Sequence, residues 1–296
     1  MVRACPVRRR EASVMSHRII LVPLLHDAAD PGALAVTGSL VGIGPSHVVG
    51  LHVRAAPGEL VSSGANLPLA AVESLEEQDR QRASEARSRF ARWRQANGLD
   101  LRTSPQQDAV SSADWHERVA SVGAEIGRWG RVSDLIVLAR SPRGYAAAGD
   151  EALHGALFDS GCPVLIVPGD PVDSRQSTVV IAWNDSREAA RAVAAARPVL
   201  MRAERIIVFV AGDDEAMVRS ADRLCDHLVW RGCRRPTQTV DPSRDVTAAL
   251  LDLAQREGAG LIVMGAYTHS RLQQFVLGGT TTDMFRLCRI PVLMTH

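Results

Sequence analysis

Gly265, Gly278, Gly279 and Thr280 have the residue types and spacing that can hold a phosphate. A glycine closing a buried strand and glycines opening a helix let backbone N–H groups approach an anion, and the helix dipole favours negative charge there. In the stretch 260–296 an apolar run at 261–264 stops at Gly265, and a polar loop follows. A short helical pattern then opens at Gly278-Gly279-Thr280, and a second apolar run covers 291–294. Arg271 shares the loop and its guanidinium can reach a phosphate oxygen. Thr268 places a Cβ where close backbone approach is wanted, while His269 and Ser270 read as solvated loop. The competing account is that a tight turn and a helix start need glycine for backbone reasons alone. Phosphate binding and a purely structural loop both stay open.

Other chemistries are excluded more firmly. All 34 Lys+Arg residues are arginine, which removes a P-loop lysine, a Schiff-base lysine and a Ser–Lys dyad. The chain contains no G-x-S-x-G elbow and no Ser–His–acid set recognisable by spacing. Gly42-Ile43-Gly44 has His47 where a dinucleotide fingerprint needs its third glycine, and it precedes a strand instead of following one. Cys225 and His227, two apart on a helical pattern, point to different faces, and with Cys233 they lack a fourth ligand at recognisable spacing, so no metal is expected. Asp213-Asp214 reads as a loop and helix start, and the arginine-rich pattern over 80–94 as a solvated face.

The five cysteines, scattered and odd in number, suit a reducing compartment, with Cys162 and Cys288 as small core residues. No apolar run approaches the roughly 18 residues that cross a bilayer, so no membrane span and a cytoplasmic location are expected. The net charge of +1 is concentrated in residues 1–16, where Arg3, Arg8, Arg9 and Arg10 face Glu11, and the near-neutral remainder gives no electrostatic case for nucleic acid. Residues 1–16 read as a disordered extension, with Met1 and Met15 both readable as starts.

The elements that would position the glycines are legible along the 296 residues, of which 46% are hydrophobic but only 4% aromatic, so that cores must be mostly Val, Leu, Ile and Ala. Strands are expected at 19–25, 47–53, 99–103, 135–138 and 163–167, and helical patterns at 31–41, 74–97, 114–129 and 153–158. Residues 57–69 read as loop and 169–177 as a polar, proline-containing linker. The pattern then restarts, with strands at 179–183, 205–210, 235–240, 261–264 and 291–294. Helices at 186–200, 214–230 and 245–256 alternate with them, with Ser186 as an N-cap and Gly232 and Gly258 as stops.

The restart is a duplication. Asp134-Leu-Ile-Val-Leu-Ala139 mirrors Gly260-Leu-Ile-Val-Met-Gly265, and Pro163-Val-Leu-Ile-Val mirrors Pro291-Val-Leu-Met-Thr; Ala139 and Gly265 are 126 residues apart, Pro163 and Pro291 128. Alternating buried strands and helices imply a doubly wound parallel sheet in each copy, residues 17–168 and 178–296, with ligands at the carboxyl ends of the strands. The loop after Met264 and the turn Asn184-Asp185-Ser186 both lie at such ends.

These residues carry a resemblance. The stretch 261–295 is similar to the strand–G-x2-G-x9-G-S/T–helix–strand ending of universal stress protein domains, and Trp183-Asn184-Asp185-Ser186 resembles their V-D-G-S type turn. The likeness covers residues 17–296 as two copies, like the tandem members. It implies α/β domains with five-stranded, mostly parallel sheets of the adenine nucleotide alpha hydrolase-like kind, packed through their last strands as an internal pseudo-dimer. It also implies a non-catalytic stress-response or regulatory role. Some members bind ATP and others do not, so an adenine nucleotide in the C-terminal copy stays open. Around it would stand Asn184, Asp185, Met264, Gly265, Thr268, Arg271, Gly278, Gly279 and Thr280.

The match has departures. Thr268 occupies the second glycine position, Gly279 the Ser/Thr position, and Asn184 replaces the family's aspartate. In the first copy Leu25 fills that aspartate position, Ala139 the first glycine, and residues 140–161 hold no G-x9-G-S/T arrangement, so nucleotide binding is not expected there. A slow ATPase using the same loop is the alternative, disfavoured because no general base stands beside the glycines. Homodimerisation of whole chains and the identity of protein partners stay open.

Overall fold

The computed structural model describes residues 17–25, 28–54, 69–105, 110–140, 147–169, 177–243, 245–266, 284 and 287–296. The first half runs β1 (Ile19–Pro23), α1 (Asp30–Val41), β2 (His47–Arg54), α2 (Leu69–Ala96), β3 (Asp100–Leu101), β4 (Ser112–Val119), α3 (Val122–Gly130), β5 (Leu135–Ala139), α4 (Ala147–His154) and β6 (Val164–Val167). A π-helical turn, Gly155–Asp159, continues α4. The second half runs β7 (Thr178–Trp183), α5 (Arg187–Leu200), β8 (Arg205–Ala211), α6 (Glu215–Trp230), β9 (Thr237–Asp241), α7 (Val246–Arg256), β10 (Leu261–Gly265) and β11 (Val292–Thr295).

Strands β5, β6 and β11 are buried at every position, and such runs need cover on both faces of their sheet. Helices α1, α2, α5 and α6 cover one face. Helix α3, α4 with its π-turn, and α7 cover the other. All eleven strands form one sheet in the order β3-β4-β2-β1-β5-β6-β11-β10-β7-β8-β9.

Neighbouring strands are parallel except at the centre, where β6 and β11 run antiparallel with Val292 beside Ile166, Leu293 beside Leu165 and Met294 beside Val164. These six side chains are each at most 6% exposed. Burying one of this size stabilises the fold by roughly 1.5–3 kcal/mol. The two halves therefore share one core as an internal pseudo-dimer. Three polar side chains tie them further. His17 Nε2 lies 2.9 Å from the Ala195 carbonyl oxygen. Arg202 donates to the Gly42 and Ile43 carbonyls at 3.1 and 2.9 Å, and Arg140 to the Cys288 carbonyl at 2.7 Å.

The fold class is the expected one, with one misread segment. Residues 114–129, expected as a single amphipathic helix, divide into strand β4 and helix α3. All eight residues of β4 pair in parallel with β2, from Ser112 beside His47 to Val119 beside Arg54. That ladder outweighs a helical spacing of tryptophans that continues by coincidence across the break. The first half accordingly has six strands where five were expected: β4 is added, and β3 shrinks to a two-residue edge pairing on it. Helix α2 begins at Leu69, inside the segment expected as loop; residues 57–68 of that loop, and 1–16 and 170–176, lie outside the described residues. Among the described residues no helix is long and apolar enough to cross a membrane.

Candidate functional site

Strand β7 ends at Trp183, whose buried indole donates to Ser220 Oγ at 3.0 Å and so fixes the strand end against α6. The chain then turns through Asn184 and Asp185. Asp185 has φ 53°, the left-handed region that Asp and Asn tolerate better than other non-glycine residues. Ser186 caps α5 as expected. Its hydroxyl oxygen accepts from the Ala189 amide at 3.0 Å and its proton goes to Asn184 Oδ1 at 2.7 Å. The cap thus satisfies an open N–H of the first turn while orienting the Asn184 amide.

Strand β10 runs parallel beside β7 with Met264 opposite Ala182, which brings Gly265 to the same strand end as the turn. A Cβ on Gly265 would stand 2.7 Å from the Ala189 amide nitrogen and 2.9 Å from Glu188 Cβ. The first turn of α5 is therefore seated directly on the end of β10. Thr295, beside Gly265 on β11, donates its hydroxyl to the Glu188 carbonyl at 2.7 Å. Arg191 reaches the His296 carbonyl at 2.7 Å, and the Arg223 guanidinium lies 3.9 Å from Asp185 across an exposed surface.

Four of the nine expected site residues are thus together at the carboxyl ends of adjacent strands: Asn184, Asp185, Met264 and Gly265. Met264 offers its backbone there, since its side chain belongs to the core on the opposite face from α5. Thr268, Arg271, Gly278, Gly279 and Thr280 lie outside the described residues. Sequence reasoning missed Glu188, Thr295 and Arg223. The one available signal was Thr295, a polar residue closing an otherwise apolar strand.

The matching corner of the first half is built differently. Asp30 opens α1 but is buried, and its carboxylate pairs with Arg89 of α2 at 3.1 Å. Ala139, the counterpart of Gly265, is buried in the core. Cys225 and Cys233 also lie in the core while His227 is exposed, and burial pushes both thiols above their ordinary pKa. Among the described residues no three His, Cys, Asp or Glu side chains are grouped to hold a metal ion.

Residues 208–296 match the model of the Universal stress protein family. A universal stress protein from Archaeoglobus fulgidus DSM 4304 superposes with a TM-score of 0.68 at 18% identity, covering 95% of this chain and 98% of that one. A functionally unknown protein from Pseudomonas aeruginosa PAO1 superposes at 0.56 and 16% identity, covering 95% and 92%. At these identities the likeness is one of fold. No match is found among the curated proteins.

Proposed function

We propose, from the match of residues 208–296 to the Universal stress protein family model, that the chain is a non-catalytic stress-response protein that binds an adenine nucleotide in its C-terminal half. In this reading it acts in the cytoplasm, as two tandem units spanning residues 17–168 and 178–296. The observation that carries the proposal is the meeting of the Asn184–Ser186 turn with Gly265 at the carboxyl ends of β7 and β10. Open parallel sheets take their ligands at such ends. The start of α5 adds a helix N-terminus on the same side. The Asn184 amide can hydrogen-bond a sugar hydroxyl without charge. In this reading Thr268, Arg271, Gly278, Gly279 and Thr280, which lie outside the described residues, supply the phosphate contacts. The first half, where Asp30 is committed to Arg89, is read as scaffold.

Purified protein should retain adenine nucleotide, and millimolar ATP should raise its unfolding temperature. Ligand at about 100 times Kd adds about 2.7 kcal/mol of stability. Asn184→Ala should reduce that shift, and ATP turnover should not exceed the buffer rate. Absence of both retention and a thermal shift would sink the binding reading; turnover abolished by Gly278→Asp would sink the non-catalytic one.

A further inference from the structure

We propose that Phe158, in the first half, is a positioning residue for the ligand site of the second. It holds the end of β11, and through that end the first turns of α5. The inference rests on the nucleotide reading of that site. The start of α5 forms part of the site, and three contacts seat it. Gly265, at the end of β10, leaves room for the Ala189 amide. Thr295 donates its hydroxyl to the Glu188 carbonyl at 2.7 Å, and Arg191 donates to the His296 carbonyl at 2.7 Å. Two of the three therefore depend on where residues 295 and 296 lie.

Both halves fix those two residues. On the second-half side Thr295 pairs with Gly265, and its carbonyl accepts from the Ala266 amide at 2.9 Å. On the first-half side the pairing of β11 with β6 ends at Met294 beside Val164. Beyond that point the Phe158 ring meets the His296 ring edge to face, with centroids 4.8 Å apart and planes at 64°. Phe158 is backed in turn by His154, whose ring centroid lies 4.8 Å away. It belongs to the π-turn Gly155–Asp159, a rare conformation found often at functional sites. Through Gly155 that turn is seated on the Gly123 backbone, so the ring is carried on a rigid support. Ligand-binding groups keep their geometry only when the residues behind them are locked by packing. The first half supplies that lock across the junction.

Hydrogen exchange of the ligand-free full chain reads this lock without any nucleotide. The Ala189 and Ala190 amides are bonded to Ser186 at the start of α5. Phe158→Ala should speed their exchange about tenfold and leave α7, on the other face of the sheet, unchanged. Thr295→Val, which removes the hydroxyl on Glu188, should speed the same two amides. Phe158→Leu keeps apolar packing without the ring and should act in the same direction, which covers a failure of Phe158→Ala to fold. In titration calorimetry Phe158→Ala should bind ATP about tenfold more weakly than wild type. Wild-type exchange at Ala189 and Ala190 in the folded variants overturns the proposal. So does a rise shared by α7, which makes Phe158 ordinary core packing, or an unchanged ATP affinity. Wild-type protein that binds no ATP fails the nucleotide reading alone, and the exchange rates then decide whether Phe158 positions α5.

Discussion

Gly265 has a task that needs no ligand. A methyl group there would come within 2.7 Å of a backbone nitrogen and 3.0 Å of the Glu188 carbonyl carbon, both in the first turn of α5. Backbone cannot rotate away as a side chain can, so either β10 or the helix start must shift. Gly265→Ala should therefore destabilise the ligand-free protein by about 1–3 kcal/mol, read from the urea midpoint at unchanged m-value. A loss below about 0.5 kcal/mol would show that the α5 start yields, and would return the residue to a purely ligand-facing role. The sequence allowed both accounts, because a glycine after a strand looks the same whether a phosphate or a helix approaches it. Asp185 was equally ambiguous. Only the backbone shows that it takes the left-handed conformation at the place where the V-D-G-S turn has glycine.

Among the elements, α3 is the least legible and the most tightly built. It carries Gly123, Gly127 and Gly130 inside nine residues, each costing roughly 1 kcal/mol of helix propensity relative to alanine. The structure supplies the reason. A Cβ on Gly155, in the π-turn, would stand 2.1 Å from the Gly123 carbonyl oxygen, and one on Gly127 2.8 Å from Asp159 Cβ. Helix α3 and the π-turn therefore pack backbone against backbone. Gly155→Ala should cost about 3 kcal/mol or more in denaturant unfolding, since the three Gly123 atoms the new methyl would meet are all main chain. Gly42→Ala, where the nearest non-neighbouring atom is 3.4 Å away, should stay within about 0.5 kcal/mol. Equal costs at the two sites would refute the close-packing account. In the sequence these glycines were masked by Trp115, Val119, Val122, Ile126 and Trp129, whose spacing suggests one long helical face. Glu125 and Trp129 do share a helix, bonded Nε1 to Oε2 at 3.2 Å, but Trp115 sits on β4 and packs against Phe90 at 5.5 Å. By contrast, strands such as β5 and β10 were readable because nothing competes with a short, wholly apolar run bounded by polar residues.

For the whole molecule, the duplicated pattern made two sheets legible but left their joining to the resemblance, because antiparallel pairing of β6 with β11 links segments more than a hundred residues apart. Nor was it visible that the two halves also meet through His17, just ahead of β1, and the Ala195 carbonyl in α5. That contact gives the halves a pH dependence with a definite sign. Burial lowers the pKa of His17, opposed by the hydrogen bond to Ala195 and by the Asp134 carboxylate. With the folded value below the ordinary value of about 6.5, the unfolded chain takes up this proton first as pH falls. Stability contributed here is thus present above about pH 6.5 and is lost as pH falls toward the folded-state pKa. Glutamine at position 17 keeps an N–H donor for Ala195 but cannot titrate. In urea unfolding from about pH 7.5 to about pH 5, wild type should lose stability relative to His17→Gln. A difference that stays constant across that range would mean the His17 contact does not set the acid response of the joined halves. A difference of the opposite slope would mean that Asp134 outweighs burial and that acid strengthens the junction.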